Sequence, residues 1–237
     1  MLYNANCREC SKEGSFESDL EGIYLETLKE WYTCEDCTEK KNRKLEEKRK
    51  AEQFRKYKAT QKERFKRSGI PEELIQYDQE KGNMDLLNFV FKNSWASLFL
   101  GGATGIGKTR AVAYTAWKLL QQSDIEVRYS RVSQELREIS ILYGKKVYLA
   151  DKRIKELSSV GLWILDDLGK EALTERTAEI LYEIIDARYM KNLKIWITSN
   201  MGAEPLIDKM GIDRGKAIVR RLKEMCLQYG PTIKEDE

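Results

Sequence analysis

Gly102, Ala103, Thr104, Gly105, Ile106, Gly107, Lys108 and Thr109 fit the pattern G-x-x-x-x-G-K-[S/T] in full. Glycines at those spacings let the backbone turn so that successive N–H groups point at phosphate oxygens. A helix opening at Lys108 adds the positive end of its dipole. Lys108 then supplies a point charge to β- and γ-phosphates, and the Thr109 hydroxyl can ligate Mg²⁺. Downstream, the apolar run Gly161–Leu165 ends in two aspartates. Asp166 is placed to anchor Mg²⁺, directly or through water, and Asp167 to orient and polarise an attacking water. Taken alone, the pair could equally cap the turn at Gly169. Asn200 follows another strand-like run, Lys194–Thr198, at the end where open α/β sheets place their ligands. Its amide can hydrogen-bond a γ-phosphate or the water, or simply end a strand.

A second constellation lies near the N-terminus. Cys7, Cys10, Cys34 and Cys37 form C-x₂-C…C-x₂-C with 23 residues between the pairs. Four thiolates close a tetrahedral structural zinc site, and the long spacer predicts a small hairpin or helix between the knuckles. A segment this thin cannot bury enough apolar surface alone, whereas zinc can contribute on the order of 10–16 kcal/mol to its folding. The rival readings are a redox C-x-x-C and free thiols. Cys226, in a helical pattern far away, reads as a small buried residue.

Composition narrows the chemistry further. The chain has 237 residues and no histidine, which excludes a Ser-His-Asp triad, a Cys-His protease, a His-ligated metal and a haem. Acid–base work must fall to carboxylates, lysines, tyrosines or water. The net charge is only +3, yet residues 39–67 carry 14 Lys/Arg against 5 Asp/Glu, leaving the remainder at −6. A basic arm on a slightly acidic body points to an anionic polymer, nucleic acid first. No apolar run is long enough to span a bilayer, and Met1–Cys7 lacks the build of a secretion signal. The expectation is a cytoplasmic protein, so thiols or metal ligands rather than disulfides.

Three segments must position these residues: 1–38 as a four-cysteine zinc-binding module, 39–68 as a basic helical linker, and 69–237 as an α/β domain. The basic segment is nearly free of Gly and Pro, and Leu45, Phe54, Tyr57 and Phe65 make a stripe too thin for a core-facing helix. It can be a solvated spacer, a phosphate-tracking helix with aromatics for base stacking, or a protein contact. Ser68-Gly69-Ile70-Pro71 breaks it. Beyond, strand-like runs at 97–100, 126–132, 161–165 and 194–198 alternate with helical patterns, including 108–122 and 174–190. Ser133 is a candidate cap for the helix after the second run. The alternation predicts a parallel sheet with crossover helices. The strand-helix unit between Thr109 and Asp166 predicts an extra strand between the two nucleotide-contacting strands.

These motifs in this order resemble an AAA+ ATPase (a P-loop NTPase with a three-layer parallel-sheet domain) of the bacterial helicase-loader group, DnaC-like and related to the IstB transposition ATPases. The carrying residues are Gly102–Thr109, Leu162–Gly169, Ile197-Thr-Ser-Asn200 and Ala217-Ile-Val-Arg-Arg-Leu-Lys-Glu-Met225. The resemblance implies ATP and Mg²⁺ as cofactors beside zinc, and an arginine acting in trans on a neighbour's nucleotide, with Arg221 first, then Arg220 and Arg214. It implies a homo-oligomer, or a hetero-oligomer with a replicative DNA helicase, contact with single-stranded DNA, and no membrane. Two departures stand out. The second acid is the shorter Asp167 where the family usually has Glu, and only 37 residues follow Asn200, too few for a full helical lid. Both imply slow or partner-stimulated hydrolysis, with nucleotide acting as an assembly switch. The expected function is a phage or bacterial helicase loader that grips the helicase through its N-terminal region. The alternatives are an IstB-like transposition helper and a nucleotide-gated adaptor with little hydrolysis; a small-molecule P-loop kinase fits less well.

Overall fold

A computed structural model describes residues 1–19, 23–76, 83–170 and 173–230. The last seven residues of the expected 69–237 segment therefore lie outside the described residues. The chain divides into two compact units, Met1–Thr60 and Gln61–Glu237.

The first unit pairs β1 (Leu2–Asn6) with β2 (Glu13–Glu17) in an antiparallel hairpin, Leu2 opposite Glu17 and Asn6 opposite Glu13. Then follow α1 (Ile23–Trp31) and the start of α2 (Glu35–Ser68). Both strands alternate between exposed and half-buried positions, so only one face packs. On that face the Tyr3, Phe16 and Tyr32 rings form a row with centroids 6.2 and 5.6 Å apart. Gly14 is needed beneath it, because a Cβ there would collide with the Tyr32 hydroxyl. Among the described residues of this unit, Cys7 alone is a buried apolar side chain. Hydrophobic burial of that size cannot offset the entropy of ordering the segment.

The long helix α2 begins at Glu35, so Cys37 lies in its first turn. Glu35 and Asp36 sit there and Lys66 and Arg67 in its last turn, matching the helix dipole at both ends. The pairs Glu46–Lys50 and Glu52–Lys56 lie at four-residue spacing, acid first, the favourable order.

The second unit is a five-stranded, all-parallel sheet in the order β4-β5-β6-β3-β7. These strands are Val127–Arg131, Leu162–Leu168, Lys194–Ser199, Ser97–Leu100 and Cys226–Tyr229, respectively. The helices are α3 (Met84–Lys92), α4 (Lys108–Gln122), α5 (Val132–Lys145), α6 (Val147–Leu157), α7 (Glu175–Met190), α8 (Ala203–Met210) and α9 (Ile212–Met225). The central strands are predominantly apolar because both faces are covered, with buried Ser97, Asp166, Thr198 and Ser199 toward their ends. Leu98, Leu100, Leu162, Ile164 and Trp196 face one core with α3 and α4. Phe99, Trp163, Leu165, Ile195 and Ile197 face the other, with α5 through α9. This is the three-layer parallel architecture the motif order implied, and the extra strand, β4, lies outside β5 at the sheet's edge rather than between β5 and β3.

Three local features differ from expectation. Strand β5 continues through Asp166 and Asp167 to Leu168. Ser133 does not cap α5: β4 runs straight into the helix, whose flanking residue is Arg131, so Ser133 falls inside the first turn. Cys226, expected within a helical pattern, instead opens β7, which pairs with β3 at the sheet's other edge, while α8 and α9 pack back on the core.

Arg188 on α7 is fully buried. Its guanidinium donates to the carbonyls of Leu157, Val160 and Lys194, joining the end of α6 to the start of β6. Burial pulls its pKa down to about 10, so the cation persists at neutral pH. Among the described residues, no helix is long and apolar enough to cross a membrane. Arg188→Met should lower the unfolding free energy by about 3 kcal/mol, since three carbonyls lose their donors. A thermal melt unchanged from wild type would contradict the role assigned to this residue.

Candidate functional site

The loop between β3 and α4 turns through glycines that an L side chain could not replace without strain. Gly102, Gly105 and Gly107 have φ of 132°, 87° and 94°. Gly107 is the cap residue just before α4, and Ala103, Thr104 and Gly105 are exposed. Ile106 packs half-buried on the α3–α4 core, which anchors the middle of the loop.

Lys108 opens α4 with 6% exposure. Its Nζ donates to Gly102 O at 2.7 Å, to Ala103 O at 2.9 Å and to Asn200 Oδ1 at 2.7 Å. All three acceptors are neutral. Burial accordingly lowers the Lys108 pKa, and the Asp167 and Asp166 charges offset this only in part. An ammonium so placed lacks an anion in contact.

One residue along, Thr109 Oγ1 donates to Asp166 Oδ1 at 2.6 Å. Asp166 is 2% exposed and takes two further hydroxyls: Thr198 Oγ1 on Oδ1 and Tyr129 OH on Oδ2, each at 2.6 Å. A carboxylate removed from water requires such donors. Asp167, by contrast, is half-buried. Its backbone sits at φ 64°, left-handed for a non-glycine residue, where the β5–β6 register slips between Leu165 and Leu168. Its N–H donates to Thr198 Oγ1 at 2.9 Å, and its carboxylate lies 3.7 Å from Lys170 Nζ. The bulge thus turns consecutive aspartates in different directions, one held inward and one left accessible.

The fold brings Lys108, Thr109, Asp166, Asp167 and Asn200 to the C-terminal ends of β3, β5 and β6. The three arginines make their contacts elsewhere. Arg221 donates to Asp186 at 2.8 Å and lies 4.5 Å over the Tyr189 ring. Arg214 is 3.8 Å from Glu179 and 5.4 Å over Tyr182. The two sets repeat at seven-residue spacing along α7 and α9. Arg220 pairs with Glu224 on its own helix and is the most exposed of the three. Tyr129 and Thr198 carry no local sequence signal of this role. Their partner is set by which strands flank β5, which no local pattern reveals.

In the first unit, Cys7 and Cys10 lie in the β1–β2 turn, while Cys34 immediately precedes α2 and Cys37 lies in its first turn. Their sulfurs all fall within 4.8 Å of one another, with Cys10 and Cys34 at 3.6 Å. Tetrahedral coordination at about 2.3 Å separates thiolates by about 3.8 Å, so the cluster has the size of a zinc site. The Cys34 N–H, opposed by desolvation and helped by the Glu9 and Cys10 amides, lowers the Cys7 thiol to about 6. Hydrogen bonding among the thiols, first with Cys10, pushes Cys37 up to about 12. Four thiols this close cannot all ionise without a cation among them.

Thr198 is the one hydroxyl that serves both aspartates. Thr198→Val should cost about 1–3 kcal/mol of stability by leaving the Asp167 N–H unpaired and Asp166 short of a donor. Chemical denaturation showing no change would reject that assignment.

Comparison with known proteins agrees with this geometry. An insertion sequence protein of Sinorhizobium fredii (strain NBRC 101917 / NGR234), named as ATP-binding, is 29% identical over 143 residues, 58% of this chain. The chain spans 56% of that relative's length. Among solved structures, DnaI superposes with a TM-score of 0.56 at 18% identity, covering 68% of this chain and 93% of that one. The DnaC helicase loader superposes at 0.51 and 21% identity, covering 62% and 86%. Both likenesses are of fold. The family described as IstB-like ATP binding protein matches residues 13–225. With that match running over most of its 237 residues, the chain belongs to the IstB-like ATP-binding family and carries its AAA+ fold.

Proposed function

We propose that the protein is a Mg²⁺-dependent ATPase that loads a replicative DNA helicase, its N-terminal region binding the helicase and its AAA+ unit binding ATP and single-stranded DNA. The observation that carries the nucleotide reading is the convergence of Lys108, Asn200 and Asp166. A buried ammonium held by neutral acceptors is matched by the phosphate oxygens of a triphosphate on the loop 102–107. The hard oxygens of Asp166 and Thr109 suit Mg²⁺, which would supply charge neutralisation at the phosphates.

Within this reading each residue has a task. Lys108 and the loop amides hold the phosphates. Asn200, already bonded to Lys108, orients the terminal phosphate or the attacking water. Asp167 receives the water's proton or aligns the water. Its carboxylate is one methylene shorter than Glu and lies beside Lys170, so turnover is slow until a partner repositions it. Of the three arginines, Arg220 is best placed to act on a neighbouring subunit, because Arg221 would first have to leave Asp186 and Tyr189. The four-cysteine cluster holds zinc and substitutes for the missing core of the first unit.

A second reading, an IstB-like helper to a transposase, is supported by the family match and by the relative named for an insertion sequence. The loader reading draws on the cysteine module and basic helix preceding the AAA+ unit, the layout of loader-like proteins. The two readings share the site and differ in the partner. Affinity capture from the native host separates them: a hexameric helicase supports the first reading, and a transposase the second.

Lys108→Ala should reduce ATP affinity at least a hundredfold, and retained binding of a labelled analogue would overturn the site. Elemental analysis of protein purified under reducing conditions should give one zinc per chain, lost on Cys34→Ser. A zinc-free, folded first unit would reject the cluster's role.

A further inference from the structure

Asp166 is held from two sides by unlike parts of the fold. Its Oδ1 edge faces Thr109 and Thr198, two small hydroxyls already drawn into the nucleotide-facing motifs. Among the described residues its Oδ2 edge has a single donor, the phenol of Tyr129 at 2.6 Å. Tyr129 comes from β4, the edge strand on the far side of β5 from the phosphate loop. Its ring is 8% exposed within the α3–α4 core, so the phenol cannot swing away to water. An ordinary phenol keeps its proton at neutral pH, so Tyr129 is the donor and Asp166 the acceptor. Arg131, paired in register with Asp166, places a guanidinium close enough to feel Tyr129, Asp166 and Asp167.

We infer that Tyr129 is a positioning residue for the metal-anchoring carboxylate: its hydroxyl locks the plane of Asp166 so that the carboxylate is set for Mg²⁺ before nucleotide arrives. The inference rests on the reading of Asp166 as the magnesium anchor. A carboxylate bonded on one oxygen alone can rotate about Cβ–Cγ. Donors on both oxygens prevent this, and among the described residues Tyr129 supplies the second. Outer-shell partners of ligating groups typically cost 10–100-fold in metal affinity or activity when removed. Tyr129→Phe deletes a single oxygen and keeps the ring that fills the core.

The test compares the full-length wild type, Tyr129→Phe and Asp166→Asn. A fluorescent ATP analogue is titrated in EDTA and at graded Mg²⁺, with Mn²⁺ binding to the nucleotide complex followed by electron paramagnetic resonance. Thermal melts are recorded alongside. Tyr129→Phe should bind nucleotide in EDTA within twofold of wild type. It should need about tenfold more Mg²⁺ for half-maximal enhancement and show a correspondingly weakened Mn²⁺ signal. A wild-type magnesium requirement in Tyr129→Phe overturns the inference, whatever happens to its melt. Loss of affinity in EDTA as well would mark Tyr129 as merely structural and overturn it equally. If the wild type itself shows no Mg²⁺ dependence, or Asp166→Asn matches it, the anchor reading fails and takes this one with it.

Discussion

A carboxylate almost wholly withdrawn from water must have its charge met by donors, and the donors of Asp166 come from an α-helix and two flanking strands. That requirement ties the parallel sheet together at its ligand-binding end. Thr109 depends on α4 starting directly after the glycine loop. Thr198 depends on β6 lying beside β5, and Tyr129 on β4 lying on β5's other side. The same order sets Asn200 against Lys108. A buried cation and a buried anion are thus each given neutral hydrogen-bond partners and kept out of direct contact. What remains, a cation with no anion in contact near a metal-suited carboxylate, is complementary to a metal–triphosphate.

The first unit solves its stability problem by other means. With Cys7 as its buried apolar side chain among the described residues, it has an aromatic row on one face of a hairpin and four sulfurs at coordination distance. Hydrophobic packing scales with size and fails for segments this small; the zinc proposed for the four sulfurs would supply what packing lacks. The helix that follows carries its charge in solvated rows, with favourable acid-to-base spacing. Its basic excess would make any phosphate contact salt-dependent.

Legibility in the sequence followed locality. The loop 102–109 could be read because its chemistry is contiguous, and glycines at 102, 105 and 107 do adopt positive φ. The apolar runs at 97–100, 161–165 and 194–198 announced strands buried on both faces. Cys7, Cys10, Cys34 and Cys37 announced a cluster by spacing alone. Hidden were properties of strand order: Tyr129 is an ordinary alternating residue until β4 is known to neighbour β5. The left-handed backbone of Asp167 had no signature either, since it arises from a slip between two strands. Arg188 was half-legible. It shares the apolar stripe of Leu181, Ile184 and Ile185, but periodicity could not reveal that carbonyls from α6, the loop after it and β6 converge on it. Ser133 misled because Ser before a helical pattern reads as a cap, whereas here the strand passes into the helix without a linker. The arginines were ranked by motif alone; the ladder holding Arg221 to Asp186 and Tyr189 needed the packing of α9 on α7.

The central claim is that a triphosphate lies on the turn at 102–107 with its metal facing Asp166. A crystal structure with a nonhydrolysable ATP analogue and Mg²⁺ tests it most directly. The account predicts phosphate density against the loop amides, Lys108 Nζ transferred from the Gly102 and Ala103 carbonyls to phosphate oxygens, and an ion between the phosphates and Asp166. Analogue bound elsewhere, with Lys108 still on its own loop, would contradict it.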